Sequence, residues 1–137
     1  MTYPWTTVYG TTPSKANCYR IIYVKGHHQL GKTTALKKFE ESFYIQCAGE
    51  YRNANISDYF EFHVRVYYPS KRSDIDNSLK VLLDCLQHTK TIKNDNLCVK
   101  VVAEKFVDKV NPRVEFKIIT IDDNDTAIRE SSEAVHG

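Results

Sequence analysis

A chain of 137 residues, 42% apolar and 26% charged, is long enough for one domain with a single modest core, and its balance argues against a disordered protein. No apolar run approaches the roughly 18–20 residues that cross a bilayer, which argues against a helical membrane protein. The net charge of +2 is uneven: Asp122, Asp123, Asp125, Glu130 and Glu133 against Arg129 leave residues 122–137 at −4 and the remaining body at +6, a balance that suits a polyanionic partner and equally a soluble protein with scattered lysines.

In chain order, residues 2–9 (TYPWTTVY) suggest a first strand, closed by the turn-rich GTTPSKAN. CYRIIYVK, residues 18–25, reads as a strand. Beyond Gly26 and Gly31, Thr33 or Thr34 is placed to cap a helix through ALKKFEESFYIQC, whose Leu36, Phe39 and Phe43 share one face. YFEFHVRVYY, residues 59–68, alternates strictly: Phe60, Phe62, Val64 and Val66 on one side, Glu61, His63, Arg65 and Tyr67 on the other. Pro69 ends that strand. A helix over residues 76–87 is expected next, with Leu79, Leu82, Leu83 and Leu86 inward, then a polar loop, TKTIKNDN. Residues 99–110 and 113–121 predict two strands joined at Asn111-Pro112 as an antiparallel hairpin. The expectation is a single α+β domain over residues 1–121, a mixed β-sheet with a C-terminal antiparallel hairpin and two main helices, followed by an acidic, mobile tail over 122–137.

Cys18, Cys47, Cys85 and Cys98 form no C-x-x-C pair and have no histidine at zinc-ligand spacing, so free, largely buried thiols are expected. The start of the chain has no basic residues leading into an apolar stretch, so no signal peptide is expected. Both point to the cytoplasm.

The chemistry concentrates in KRSDIDNSLKVLLDCL, residues 71–86. Asp74 and Asp76 are two apart at a strand-to-helix junction, a spacing that puts both carboxylates on one side of an extended segment. Asp76, Lys80 and Asp84 follow at four-residue intervals along one helical stripe. Mg²⁺ prefers hard oxygen ligands and keeps several waters, so two or three carboxylates with phosphate oxygens suffice to hold it. The same residues also fit a plain helix start, with acids complementing the dipole and Lys80–Asp84 as a surface ion pair. Sugar-nucleotide transferases use an Asp-x-Asp pair as well.

This stretch resembles the RusA family of Holliday-junction resolvases. Asp74, Asp76 and Asn77 match its acidic pair and asparagine, Lys80 its helix lysine, and Asp84-Cys85-Leu86 its helix end. Asn94-Asp95-Asn96 fall where the family commonly has a paired acid before a strand, with Asn94 in place of the first acid. Asn96, Leu97 and Cys98 also differ from the family's frequent small-Gln-Val there. Lys105 matches a lysine of that strand, residues 13–17 (PSKAN) resemble the family's P-S-x-N turn, and Tyr19 an aromatic after it. The resemblance spans about residues 3–121. It implies a Mg²⁺-dependent endodeoxyribonuclease, with Mn²⁺ as a possible substitute, acting on four-way junctions or other branched DNA as a homodimer. In that reading Asp74, Asp76 and Asp95 hold the metal, Lys80 faces charge developing on the phosphoryl group, and Asn77 and Asp84 support them. Asn77 reads equally well as a helix cap. Lys71, Arg72 and Lys105 would contact DNA phosphates, although Lys71 and Arg72 also read as solvated loop charges. Glu61 and His63 read as a pair on the sheet surface.

A competing motif is GHHQLGKT, residues 26–33, which satisfies the phosphate-loop pattern G-x-x-x-x-G-K-[ST] between an expected strand and an expected helix, with Asp84 or Asp122 as its acidic partner. Against it stand the expected hairpin, where such hydrolases need a parallel sheet with several crossover helices, and the helical period around VLLD. A third class, a DNA-binding module without catalysis, would use the basic body with Tyr67 and Tyr68. It gives no reason to cluster acids where phosphate must approach.

Overall fold

The computed structural model describes residues 1–13 and 18–121. The elements are β1 (Thr6–Tyr9), β2 (Tyr19–Val24), β3 (His27–Lys32), α1 (Thr34–Gln46), β4 (Phe60–Tyr68), α2 (Ile75–His88), β5 (Cys98–Val107) and β6 (Arg113–Thr120), with a single 3₁₀ turn at Asp95–Leu97 before β5. Four strands form a mixed sheet in the order β1-β6-β4-β5, and β2 pairs with β3 in a separate two-stranded ribbon. This is the expected α+β domain with two main helices. The acidic tail and the 14–17 part of the PSKAN turn lie outside the described residues.

β4 organises the core because its alternation is uninterrupted. Phe60, Phe62, Val64, Val66 and Tyr68 are all buried on the helix-covered face, while Glu61, His63, Arg65 and Tyr67 are half-buried on the other. α1 lays Leu36, Phe39 and Phe43 onto that covered face, and Phe43 stacks on Phe116 of β6 with ring centroids 5.8 Å apart. Thr33 is its N-cap, accepting from the Leu36 amide at 3.2 Å. α2 buries Ser78, Val81, Leu82, Cys85 and Leu86. The inward stripe is therefore rotated from the expected one. Leu82 and Leu86 keep their places, Leu79 and Leu83 are only half-buried at the flanks, and smaller Val81 and Cys85 take the centre where the helix meets the sheet. Burial pushes the Cys85 thiol up to about 12, as befits a packing residue. All four cysteines are free thiols.

The expected C-terminal hairpin is not there as a direct pair. β5 runs parallel to β4 and β6 antiparallel to it, so β4 lies between the two strands that the sequence pattern joins. The physical reason is that β4, buried along one whole face, has backbone donors and acceptors on both edges, and both need partners. The parallel pair requires the chain to return from the end of β4 to the start of β5, and α2 makes that crossover. Residues 108–112 then pass over the end of β4: the Asp108 amide donates to the Tyr68 carbonyl at 2.7 Å, and Arg113 pairs with Asp108 at 2.9 Å. Lys100, Glu104 and Lys105 put charge on the exposed β5, which suits an edge.

Candidate active site at the start of α2

Two anchors fix the segment between β4 and α2. Tyr68, at the end of β4, hydrogen-bonds the Ser78 hydroxyl inside the protein and donates to the Asp74 carbonyl at 3.3 Å. Lys105, on β5, donates from its ammonium to the Lys71 carbonyl at 2.8 Å and lies over the Tyr68 ring at 5.8 Å. Lys105 is therefore partly committed to holding the loop, with donors left over for other contacts. Lys71 and Arg72 are exposed in the same loop.

Asp74 is the N-cap residue of α2, yet its side chain makes no capping hydrogen bond. An aspartate at that position ordinarily accepts from a first-turn amide. Asp76 follows in the first turn, accepting from the Asn77 amide at 3.0 Å, and both acids are exposed. Asn77 is thus inside the first turn and is not the cap. One turn further on, Lys80 pairs with Asp84 at 3.1 Å and with Asp95 at 3.3 Å. Those bonds, Asp84's first, hold the lysine above its ordinary pKa. The phenol of Tyr68 is also held up, mainly by burial, with the nearby charges of Asp74 and Asp76 adding to it.

Asp95 reaches Lys80 because the loop after α2 is not merely polar. Thr89, Thr91 and Ile92 are buried; the Thr89 hydroxyl donates to the Leu86 carbonyl at 3.2 Å and the two threonine hydroxyls meet at 2.8 Å. Asn94 accepts from the Asn96 amide and Gln87 accepts from the Asp95 amide, both at 3.0 Å. Gln87 was not singled out from the sequence. It continues the stripe of Asp76, Lys80 and Asp84 by three residues, so helical spacing carried a signal for it. Tyr68 and Ser78 had no comparable signal, because their pairing depends on how α2 docks.

The structure thus brings Asp95 and Asp84 onto Lys80, with Asp74 and Asp76 a turn away at the start of the helix. It does not gather all three expected ligands. Among the described residues no three His, Cys, Asp or Glu side chains are close enough to hold one ion together. Like charges repel, and Lys80 draws Asp95 to itself. Asp74 and Asp76 still offer a hard divalent cation exposed carboxylates two residues apart at the start of α2, and the first is not spent on capping.

Glu61 and His63 hydrogen-bond each other at 3.0 Å on the sheet face away from the helices, as expected of a surface pair. The phosphate-loop reading fails on backbone grounds. Gly26 lies in a turn and residues 27–32 are extended strand β3, so no loop wraps ahead of α1 to cradle a phosphate. Lys32 is instead paired with Glu40 of α1 at 2.9 Å. VLLD lies inside α2.

The model of the family described as Endodeoxyribonuclease RusA matches residues 12–119. No curated protein matches the chain. Among solved structures, a GTPγS-form protofilament of TubZ from Bacillus thuringiensis serovar israelensis is similar at a TM-score of 0.38 and 13% identity, over 96% of this chain and 29% of that one. A likeness of that depth carries no argument about fold or function.

Proposed function

The chain belongs to the RusA endodeoxyribonuclease family, and from that premise we propose that it resolves four-way DNA junctions or related branched DNA by Mg²⁺-assisted phosphodiester hydrolysis at Asp74, Asp76 and Asp95. The observation that supports this site most is the bridge through Lys80, which ties the loop acid Asp95 to α2 one turn from Asp76. Asp74 and Asp76 would hold the ion, with Asp95 as the acid from the second segment; Mn²⁺ would substitute for Mg²⁺. A bound ion there supplies Lewis acidity to the scissile phosphodiester and to the attacking water.

The chain's own residues do the rest. Lys80 stays charged at neutral pH and presents its ammonium to negative charge building on the phosphoryl oxygens or the leaving group. Asp84 and Gln87 position Lys80 and the Asp95 turn. Lys105 and Tyr68 hold the loop that carries Asp74, and Lys71 and Arg72 on that loop meet the flanking phosphates. A four-way junction has two-fold symmetry, so paired cuts call for two copies of this site in a homodimer. No helix among the described residues is long and apolar enough to cross a membrane, and we place the activity in the cytoplasm with its DNA.

The test is cleavage of a labelled synthetic junction beside a linear duplex, with and without Mg²⁺. Wild type should cut the junction only with metal. Asp76→Asn should bind it and leave it whole, and Lys80→Ala should cut about 10²–10³-fold more slowly. Full cleavage by Asp76→Asn would remove the site assigned here.

A further inference from the structure

The ribbon β2–β3 stands apart from the four-stranded sheet and takes no part in the chemistry above. Its register pairs Tyr19 with Lys32, Ile21 with Leu30 and Tyr23 with His28, so these six side chains share one face. That face is open: Ile21 is 72% exposed, Tyr23 68% and Leu30 75%. The opposite face serves the ribbon itself, since Ile22 closes over Gly31 so tightly that a Cβ there would meet its Cδ1 at 2.8 Å. A two-stranded ribbon left bare on an apolar face is marginal in water, so this one is built to be covered.

Its charge says by what. Residues 18–33 contain Arg20, Lys25 and Lys32, with His27 and His28, and no acid. The tip is more telling. Lys25 and Gly26 form the two-residue turn with φ of 50° and 80°, a left-handed pair that Asn-Gly fills at least cost. A lysine held in that conformation works against the turn, and it places a cation at the farthest point of the arm. At its base the ribbon meets the active site: Tyr19 and Lys32 line a cleft of about 390 Å³ with Glu40, Asp84, Gln87 and His88. The open face therefore meets α2 at Asp84, Gln87 and His88. Six residues of strand extend about 20 Å, some six base pairs, and a two-stranded ribbon fits the major groove.

We propose that β2–β3 is a DNA-binding arm, laying Tyr19, Ile21, Tyr23 and Leu30 against the duplex flanking the cut while Lys25 at its tip takes a phosphate. This rests on the nuclease reading for the location of the cut, and the test separates the two. Binding of a labelled junction is followed by anisotropy over a salt series in the Asp76→Asn background, which binds without cutting. Lys25→Asn should raise the melting temperature, because the turn is relieved, yet weaken binding and lower the slope of log K against log salt by about 0.9. A turn residue without a DNA contact would show only the first effect. Lys25→Glu should weaken binding more than Lys25→Asn does, with the mass by light scattering unchanged. Unchanged affinity and slope in both variants overturn the arm. So does a fall in mass, which would make the ribbon an interface between copies. If the unmutated protein binds junctions but never nicks them with metal, the nuclease reading falls while the arm is still read by the slope.

Discussion

Lys80 is the side chain on which acids from two segments meet. Its pKa lies above the ordinary 10.5 through Asp84 first and Asp95 second. A carbon-detected titration of the lysine should therefore place it above that value in wild type, lowered more by Asp84→Asn than by Asp95→Asn; equal values in all three proteins would contradict the pairing. Because the folded value is the higher one, the pair's contribution to stability is complete below the unfolded pKa and disappears only as pH rises through the folded one, so it is constant across neutral pH. The Lys80 side chain is 69% exposed, and its energetic share is that of a surface pair. Tyr68 carries more. Tyr68→Phe leaves the buried Ser78 hydroxyl without that partner and releases the Asp74 carbonyl, which should cost about 1–3 kcal/mol in urea unfolding and slow cleavage as well. An unchanged midpoint would show that the bond is not needed. Asp76, Lys80 and Asp84 were legible because they follow helical spacing, whereas Asp95 was legible only through the family resemblance and the extended spacing expected of Asp74 and Asp76 ends where α2 begins at Ile75. Tyr68's role was not, because one strand's last residue meets the next helix only after α2 has docked.

At the level of elements, the clearest patterns in the chain are the ones the fold keeps. The period of two in β4 and the three-to-four spacing of Leu36, Phe39 and Phe43 each describe a face that meets the core. Phe43→Ala should cost about 3–5 kcal/mol, since the ring stacks on Phe116 at the centre, and Thr33→Ala about 1 kcal/mol through the lost cap. Thermal and denaturant unfolding check both; a cap loss as large as the core loss would mean that α1 depends on its first turn more than on its packing. Strand pairing is where local pattern ran out. β5 and β6 are neighbours in sequence with a proline between them, and nothing in their own residues tells that β4 comes between. The stretch at residues 26–33 shows the same limit: a glycine-lysine spacing that fits a phosphate loop is here one strand of a ribbon, because Tyr19–Val24 gives it a cross-strand partner at every position.

For the whole molecule, the fold sets one frame: β4 delivers the loop with Asp74, α2 carries Asp76, Lys80 and Asp84, and the buried threonines after α2 return the chain so that Asp95 reaches the same helix. Two such frames are expected per functional unit, so light scattering should give the mass of a dimer, and a monomer that still makes paired cuts would contradict that arrangement. The claim on which the chemistry depends is that acids from both segments serve one divalent ion. Titration of Mn²⁺ into wild type, Asp76→Asn and Asp95→Asn, read by paramagnetic resonance of the free ion, tests it without reference to cleavage. Each substitution should weaken Mn²⁺ binding by about tenfold or more; Asp95→Asn binding the ion as tightly as wild type would contradict it.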